Sequence, residues 1–364
     1  MGALSDLVIA DFSRVLAGPY ATMMLADFGA DVIKIERPGT GDDTRTWGPP
    51  FDADGVSTYF QSINRNKGAI TADLSTPDGI AKARSVIDKS SVVVENFAPG
   101  TMEKFGFGYE ELSRKNPALI YVSISGFGNS PQARELPGYD LLVQGMSGLM
   151  SITGIDSDHP TKVGVALVDV IAGLHAALAI TTALHHRDKT GEGQKIEINL
   201  MSSALSAMVN QSAAFTGAGV VPAAIGNAHP SIAPYESFKA KDGHMIIAVG
   251  NDRQFGILIK ALGIKVDPRF ATNTLRVENR SELHELIETA LMAQPVKEWS
   301  AKLMSLGVPA GPIQNIKGAI ETATQLGLNP IVEINGSKTI ANPITFSQTP
   351  VEYRSAPPIL GADD

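Results

Sequence analysis

The first third of the chain alternates short apolar runs with helix-like segments, and this alternation most restricts the possible fold. The first two strand-like runs are LVIADF, residues 7–12, and DVIKIE, residues 31–36, and the helical pattern YATMMLADFGA lies between them. Parallel strands need a crossover connection, which is usually a helix. Further candidate strands are AITADL, SVVVEN and ALIYVSISGFG, separated by the candidate helices PDGIAKARSVIDKS and GYEELSRKN. The pattern predicts an α/β protein with a Rossmann-like large domain.

The rest of the chain predicts a second, smaller domain. A helix is expected over 170–187, followed by the strand QKIEINL and the helical patch MSSALSAMVNQSAAF. The glycine- and proline-rich stretch TGAGVVPAAIGNAHPSIAP is typical of a connection. Beyond it, ESFKAKDGHMIIAV indicates a hairpin with its turn at 241–243, and two helical patterns follow. We therefore expect a large domain at 1–200, a linker at 201–225, a smaller α+β domain at 226–315 and a C-terminal segment, 316–364, that returns to the large domain.

Composition excludes several classes of function. The 364 residues carry a formal net charge of −8, whereas a general binder of nucleic acid or acidic membranes needs a basic face. There is no cysteine, which excludes disulfides and thiol nucleophiles. The N-terminus lacks a basic region before a clean apolar run, and no segment has about 18 uninterrupted apolar residues. We expect a cytoplasmic protein with neither a nucleic-acid nor a membrane partner.

The usual cofactor and hydrolase motifs are missing. Glu36 ends the second strand where a ribose-binding acid would lie, but the preceding turn SRVLAGP lacks the spaced glycines that a dinucleotide pyrophosphate requires. His185 and His186 are adjacent, so on a helix they point about 100° apart and cannot share one metal. The chain has no H-E-x-x-H pair and no G-x-S-x-G elbow. We expect no metal site and no tightly bound cofactor.

One carboxylate stands in an otherwise apolar stretch. Asp169 lies within VGVALVDVIAGLHAALAI, residues 163–180, which is predicted to be a buried strand that continues into a buried helix. It can cap the helix N-terminus, a role worth about 1 kcal/mol. It can also be a poorly solvated nucleophile that attacks an electrophile. The residues themselves leave both roles open.

Most of the first 200 residues contain a series of distinctive stretches, and weaker ones follow in PYESFKAKDGH and GVPAGPI. The stretches are AGPYATMMLADFGADVIKIERPGTGDDTR, NRNKGAITADLSTPDG, VVVENFAPGTMEKFGFGYEEL, YVSISGFG, GYDLLVQGMSG, DVIAG and TGEGQKIEINL. In these stretches, and in their order, the chain resembles the class III CoA transferases, the CaiB/BaiF family of which formyl-CoA:oxalate CoA transferase is typical. Similarity is especially marked to succinyl-CoA:glutarate transferases around SIAPYESFKAKDG and VGNDRQF.

The resemblance implies that Asp169 is a catalytic nucleophile and that acyl-CoA and a carboxylic acid are the substrates. In the family mechanism the aspartate attacks the acyl-CoA thioester, and a mixed anhydride and then an aspartyl-CoA thioester are formed. The acceptor carboxylate attacks that thioester and finally receives CoA. Water must be kept out because it would hydrolyse each anhydride, which fits the apolar surroundings of Asp169. Small dicarboxylates such as succinate and glutarate are the expected acids.

The resemblance also implies a coenzyme A site. The turn after the first strand would meet the pantetheine arm, Arg37 would pair with the nucleotide phosphates through its guanidinium fork, and Tyr139 would border the thioester. Lys104 replaces an arginine of some relatives and keeps only its charge. Gly250 and Asn251 would contact the acid, although relatives have a more glycine-rich loop there. The remaining expected contacts are Val15, Leu16, Ala17, Ala72, Asp73, Leu74, Ser75, Asn96 and Phe97.

Two other functions are possible within the same fold. The α-methylacyl-CoA racemase branch moves a proton with a histidine and a carboxylate, but its histidine before the aspartate of the GYD segment is replaced here by Tyr139. A tyrosine has a reference pKa near 10 and is a poor base at neutral pH. A silent acyl-CoA binding protein is the other alternative, and it has no evident need for Asp169. The family architecture implies an interlocked homodimer, in which each chain forms an open ring around the other.

Overall fold

The computed structural model describes residues 2–364, which form two compact units. The first unit contains the residues up to Leu149, Lys162–Val220 and Asn329–Asp364, and the second contains Met150–Thr161 and Val221–Leu328. These boundaries differ from the expected ones in three places. Residues 150–161 were expected in the large domain, but they belong to the second unit. Residues 201–220 were expected to lie in a linker, but they are largely helical and belong to the first unit. Residues 316–328 were expected to return to the large domain, but they belong to the second unit.

A six-stranded parallel sheet is the centre of the first unit. Its strand order is β3-β2-β1-β4-β5-β6, in which β1 lies between β2 and β4 with Ile9 paired to both Val32 and Val92. This is the order of a doubly wound dinucleotide-type fold, so the predicted alternation of strand and helix is confirmed. The strands are β1 Val8–Asp11, β2 Asp31–Glu36, β3 Lys67–Thr71, β4 Val92–Glu95, β5 Ile120–Ser125 and β6 Lys195–Asn199.

Helices cover both faces of this sheet. One apolar cluster joins Ile9 and Val92 to Leu25 and Ile180, and a second joins Phe12 to Phe107 and its neighbours on the other face. Residues 331–334 and 337–340 form a separate antiparallel hairpin. The helices of this unit are α1 Ala17–Asp27, α2 Thr58–Ile63, α3 Pro77–Ile87, α4 Thr101–Lys104, α5 Tyr109–Lys115, α6 Asp140–Met146, α7 Leu167–Thr190, α8 Leu200–Ala207 and α9 Val209–Ala218.

A fully buried charge network connects the carboxyl end of β1 with Lys34 inside β2 and Lys67 at the start of β3. The Nζ of Lys67 is 3.1 Å from Oδ2 of Asp11, and the Nζ of Lys34 is 2.9 Å from Oδ2 of Asp42. Lys34 also donates a 2.8 Å hydrogen bond to the carbonyl of Ser13. Burial lowers the pKa of Lys67 to about 8, although Asp11 opposes this shift. Removing one partner of such a pair would leave an uncompensated buried charge, so the network holds the turn after β1 against β2 and β3.

The second unit is a small α+β unit. The hairpin predicted around 241–243 is present, and the sheet is antiparallel with the order β7-β8-β9. Phe238, Met245 and Ile247 of this sheet pack with Leu283 and Trp299. The elements are β7 Tyr235–Ala240, β8 Gly243–Ala248 and β9 Ala310–Pro312, with α10 Asp252–Leu262, α11 Asn273–Glu278, α12 Arg280–Leu291, α13 Val296–Ser305 and α14 Ile316–Gln325.

Helix α7 is unusually long and apolar. Among the residues that the structure describes, it is the one helix whose length and composition would allow it to cross a bilayer. The core helix of a soluble protein passes the same test, and Val168, Ala172, Ala176 and Ile180 of α7 are buried within the first unit.

Candidate active site

The site lies where the strand order of the large sheet reverses. Strands β1 and β4 are neighbours in the sheet. The strand that follows β1 in the chain, β2, lies on one side of this pair, and the strand that follows β4, β5, lies on the other side. In open parallel sheets, ligands bind in the crevice beyond the carboxyl ends of the strands at this point. Here the turn after β1 and the residues Asn96 and Phe97 after β4 border a cavity of about 220 Å³.

The turn after β1 has a strained backbone that Asn96 and Asp42 hold in place. Val15 has φ = +67°, a conformation that is costly for a β-branched residue. Asn96 clamps the preceding peptide groups, because its Oδ1 accepts from the backbone N–H of Arg14 at 2.8 Å and its Nδ2 donates to the Arg14 carbonyl at 2.7 Å. The backbone N–H of Val15 donates to Oδ1 of Asp42 at 3.3 Å. Strain held in this way is a common property of functional turns.

Gly173 brings α7 close to this turn. A Cβ built on Gly173 would lie 2.6 Å from the carbonyl oxygen of Ala17, so only glycine permits this approach. Asp169 is four residues earlier and therefore lies on the same face of the helix. The side chain of Asp169 is among those that line the cavity, together with Val15 and Ala17. The glycine of the DVIAG segment thus positions the carboxylate at the turn.

Asp169 does not cap its own helix, because Asp140 performs that role. The residue at the N-cap position, Ala166, has no capping side chain. Oδ1 of Asp140 accepts hydrogen bonds from the backbone N–H groups of Val168 at 2.8 Å and Asp169 at 3.2 Å. Oδ2 of Asp140 is in turn held by Nε2 of Gln144 at 2.6 Å. The capping role that the sequence left open for Asp169 is therefore filled by a residue on α6.

The carboxylate of Asp169 is buried and lacks hydrogen-bond donors. The residue is 9% exposed, and no described residue from 2 to 364 donates a hydrogen bond to its side-chain oxygens. A position in the first turn favours the charged form by about 0.3–1 kcal/mol. Burial and, secondarily, the charge of Asp140 outweigh this and raise the pKa of Asp169 to about 7. The result is a poorly solvated carboxylate with free lone pairs.

Tyr59 is a neighbour that the sequence did not indicate. Its ring packs edge-on against Trp47, with the ring centroids 5.4 Å apart. Burial, followed by the charges of Asp169, Asp140 and Asp42, raises the pKa of Tyr59 to about 12. The phenol therefore stays neutral at physiological pH and can act as a hydrogen-bond donor near the carboxylates.

The predicted residues divide between two adjoining cavities. The first contains seven of the predicted residues, and a second cavity of about 260 Å³ contains Arg37. Arg14 and Phe97 line both cavities, which therefore adjoin at these two residues. The predicted residues in the first cavity are Val15, Leu16, Ala17, Asn96, Phe97, Tyr139 and Asp169, and the second has Arg37, Ala72, Asp73, Leu74, Ser75 and Phe97.

Three predicted residues lie outside both cavities. Lys104 is exposed at the end of α4 and lines neither of them. Gly250 and Asn251 belong to the second unit, where Oδ1 of Asn251 caps α10 by accepting from the N–H of Gln254 at 3.0 Å. The N–H of Gly250 donates to Oε1 of Gln254 at 2.9 Å. Their local role is thus to begin a helix.

Arg14 is a further cation that the sequence analysis missed. Its guanidinium lies over the Phe97 ring at 5.2 Å from the centroid, and its Nη1 is 3.6 Å from Oδ2 of Asp43. Arg37 approaches the same carboxylate, with Nη2 3.9 Å from Oδ1. Two half-exposed arginines that share one aspartate leave positive charge for an anion at the junction of the cavities. No signal in the sequence distinguished Arg14 from a surface arginine.

The site has no recognisable metal centre. Among residues 2–364, no group of three or more histidine, aspartate and glutamate side chains is arranged to hold a metal ion. The described residues that line the first cavity include no histidine.

Comparison with known proteins agrees with this arrangement. The family model for CoA-transferase family III matches residues 4–364. A succinate–glutarate CoA-transferase of Agrobacterium fabrum is 43% identical, over 98% of this chain and 93% of its own length. An acetyl-CoA:oxalate CoA-transferase of Acetobacter aceti is 38% identical, over 98% and 92%. The crystal structure of a CAIB/BAIF family protein from Brucella suis superposes with a TM-score of 0.89 at 41% identity, covering 99% and 97% of the two chains. The chain belongs to CoA-transferase family III.

Proposed function

We propose that this CoA transferase exchanges coenzyme A between small dicarboxylic acids, such as succinate and glutarate, through covalent bonds to Asp169. The observation that carries the proposal is the state of that side chain, which is buried and free of donors in the cavity beside the strained turn. The names of relatives support the acids, since one similar protein is a succinate–glutarate CoA-transferase and another, from Mus musculus and 38% identical, is a succinyl-CoA:glutarate CoA-transferase.

The first half of the reaction moves CoA onto the enzyme. An oxygen of Asp169 attacks the thioester carbonyl, a C–O bond forms, and the C–S bond breaks with release of the CoA thiolate. The thiolate then attacks Cγ of Asp169, and the donor acid leaves as its carboxylate. The product is an aspartyl-CoA thioester, and no net proton transfer is required.

The second half returns the enzyme to its starting state. A carboxylate oxygen of the acceptor attacks the aspartyl thioester carbonyl and expels the thiolate, which leaves a mixed anhydride. The thiolate attacks the acyl carbon of the acceptor, and Asp169 departs as a carboxylate. A carboxylate nucleophile suits an exchange between acids because the anhydride conserves the activation of the thioester. A buried site protects these intermediates from water.

The two cavities offer a path for the coenzyme. The nucleotide phosphates would lie near Arg37 and Arg14, and the adenine and pantetheine would follow the segment from Ala72 to Ser75 and the ring of Phe97. Arginine forks match phosphate oxygens, and the shared Asp43 would be displaced from them. The thioester would then reach Asp169 beside Tyr139. Lys104, Gly250 and Asn251 remain proposed contacts that neither cavity includes.

We propose that the enzyme is an interlocked homodimer that works in the cytoplasm without a membrane partner or a tightly bound cofactor. Exposed apolar side chains support a partner surface on the helices of the first unit: Leu178 is 65% exposed, Val209 69% and Phe215 59%. These side chains would be covered by the partner chain if they lie in the dimer interface. Light scattering of the purified protein tests this proposal, and a monomer at micromolar concentration would contradict it.

Trapping with hydroxylamine tests the covalent mechanism. The protein is incubated with succinyl-CoA and hydroxylamine, digested and examined by mass spectrometry for a hydroxamate at position 169. The wild type and the Asp188→Asn control, an exposed aspartate of the same helix, should form it, whereas Asp169→Asn should not while still binding CoA. Retained exchange in Asp169→Asn, or an unmodified Asp169 in an actively exchanging wild type, would overturn the mechanism. A racemase would instead exchange the α-hydrogen of an acyl-CoA with deuterium from the solvent.

A further inference from the structure

The remote carboxylate of a dicarboxylate substrate has its own binding requirement. Only one carboxyl group of succinate or glutarate takes part in the exchange, and the other remains charged throughout. Moving that charge from water into a cavity is costly unless a cation or several donors replace its hydration. A site that accepts dicarboxylates should therefore hold a cation that is not already neutralised. This reasoning rests on the proposed function.

The first cavity contains two cationic side chains. Arg14 is engaged, since it stacks on Phe97, lies 3.6 Å from Asp43 and also faces the second cavity. Arg134 is the other cation; it is solvent-exposed, also lines a third cavity that contains Glu95 and Glu103, and has its Nη2 3.4 Å from a Cβ built on Gly100. Within residues 2–364, no carboxylate pairs with its guanidinium, and its side chain makes no hydrogen bond. Its N–H donors are open to solvent and are not used by the protein, so they are available to an anionic ligand in the cavity.

Other polar groups in this cavity are less available. Both polar atoms of Asn96 are bonded to the Arg14 backbone. Ser125 Oγ accepts from the N–H of Gly128 at 3.0 Å. Tyr139 is 62% exposed and offers a phenol hydroxyl. None of these groups supplies the charge that a carboxylate favours, so Arg134 is the strongest remaining anion ligand of the cavity.

The loop that carries Arg134 is anchored at both ends beside the nucleophile. It connects β5, which ends at Ser125, to α6, which begins at Asp140. The backbones of Gly126 and Gly138 are in close contact, since a Cβ built on Gly126 would lie 2.4 Å from the Cα of Gly138. A turn in which the N–H of Arg134 donates to the carbonyl of Ser130 at 2.9 Å shapes the middle of the loop. The same loop therefore presents Arg134 and, through Asp140, caps the helix of the nucleophile.

We propose that Arg134 binds the remote carboxylate of the dicarboxylate acceptor and so determines the preference for diacids over monoacids. The planar guanidinium can hold that carboxylate through two parallel N–H···O bonds while the other end of the acid meets the aspartyl thioester. A monocarboxylic acceptor, which lacks the remote charge, gains nothing from this contact. Arg134 is a specificity residue and takes no part in bond making.

Kinetics with matched acceptors test the proposal. For Arg134→Gln, KM for glutarate should rise on the order of 10- to 100-fold with kcat largely kept, whereas kcat/KM for butyrate should change by less than about 3-fold. Arg134→Glu should reverse the charge preference, so that the ratio of kcat/KM for 4-aminobutyrate to that for glutarate increases. Arg114→Gln, an exposed arginine of α5 that lines neither cavity, serves as the control and should behave like the wild type.

Several results would overturn the proposal. If kcat/KM of Arg134→Gln fell equally for glutarate and butyrate, the substitution would have a general effect on the site. If calorimetry showed weaker binding of free coenzyme A while KM for glutarate was unchanged, Arg134 would be a ligand of the coenzyme. Unchanged glutarate kinetics would remove any role in binding acids. The proposed covalent mechanism is judged separately, because the hydroxamate at Asp169 forms without an acceptor. If Arg134→Gln still formed the hydroxamate at Asp169 and still preferred diacids, only the proposed role of Arg134 would be rejected.

Discussion

Oδ1 of Asp140 lies 2.8 Å from the backbone nitrogen of Val168 and 3.2 Å from that of Asp169, so one carboxylate supports the backbone of the other. This contact has two opposite effects on the nucleophile. It relieves the Asp169 side chain of capping, which leaves the lone pairs of that side chain free. It also places a second negative charge nearby, which adds to the effect of burial and raises the pKa of Asp169 to about 7.

The first prediction concerns the pH dependence of exchange. Only the ionised Asp169 can attack a thioester, so kcat/KM should increase about tenfold per pH unit below pH 7 and level off above it. Asp140→Asn keeps an oxygen that can accept from the two amides but removes the charge, and it should move the midpoint to lower pH. The pH profiles of both proteins provide the measurement. A wild-type midpoint near 4, or one that Asp140→Asn leaves in place, would contradict this account.

The second prediction concerns the cost of the buried nucleophile. The pKa of Asp169 in the folded protein, about 7, exceeds the value of about 3.9 for an unfolded aspartate. The folded state therefore holds more protons between these pH values, and stability falls as pH rises through that window. Asp169→Asn, which does not titrate, should be more stable than the wild type by about 4 kcal/mol at pH 8 and little different near pH 4. Urea unfolding at the two pH values measures this. If Asp169→Asn were more stable than the wild type by the same amount at both pH values, the gain would come from packing and not from titration of Asp169.

The third prediction concerns the close approach of α7 to the turn. In Gly173→Ala the new methyl group would meet the Ala17 carbonyl, so the helix must shift and carry Asp169 with it. Stability should fall by about 1–3 kcal/mol and exchange by about 100-fold. Gly217→Ala is the matched control, since a Cβ at that position of α9 meets no atom within 4 Å. Unfolding curves and initial rates of both variants are compared, and normal exchange in Gly173→Ala would refute the positioning role.

The fourth prediction concerns the clamp on the strained turn. Asn96→Ala removes two hydrogen bonds to Arg14 and should cost about 2 kcal/mol of stability, with a raised KM for acyl-CoA. Glycine adopts positive φ without strain, so Val15→Gly in the same chain should restore part of both losses. A double-mutant cycle measures this coupling. Strictly additive effects would mean that Asn96 acts independently of the backbone at Val15.

Local patterns predicted the elements of the fold well, because strands such as DVIKIE and the hairpin at 241–243 depend on residues close in sequence. The boundaries of the expected linker were less accurate, since the alanine- and serine-rich patch after 200 continues as α8 and α9. A long-range contact such as the cap that Asp140 places on α7 leaves no periodic signal in the sequence. The same is true of Arg14 and Arg134, whose surroundings depend on loops from separate strands.

The sharing of Arg14 and Phe97 between the two cavities has a consequence for how the thiol behaves between steps. On the proposed pathway the thiolate leaves the donor before it attacks Asp169, and it could escape in that interval. A nucleotide anchored in the neighbouring cavity would tether the sulfur, and its return would become an intramolecular event with a high effective concentration. The second cavity would then retain the coenzyme during turnover. Pantetheine fragments that lack the nucleotide would dissociate from the enzyme as the free thiol.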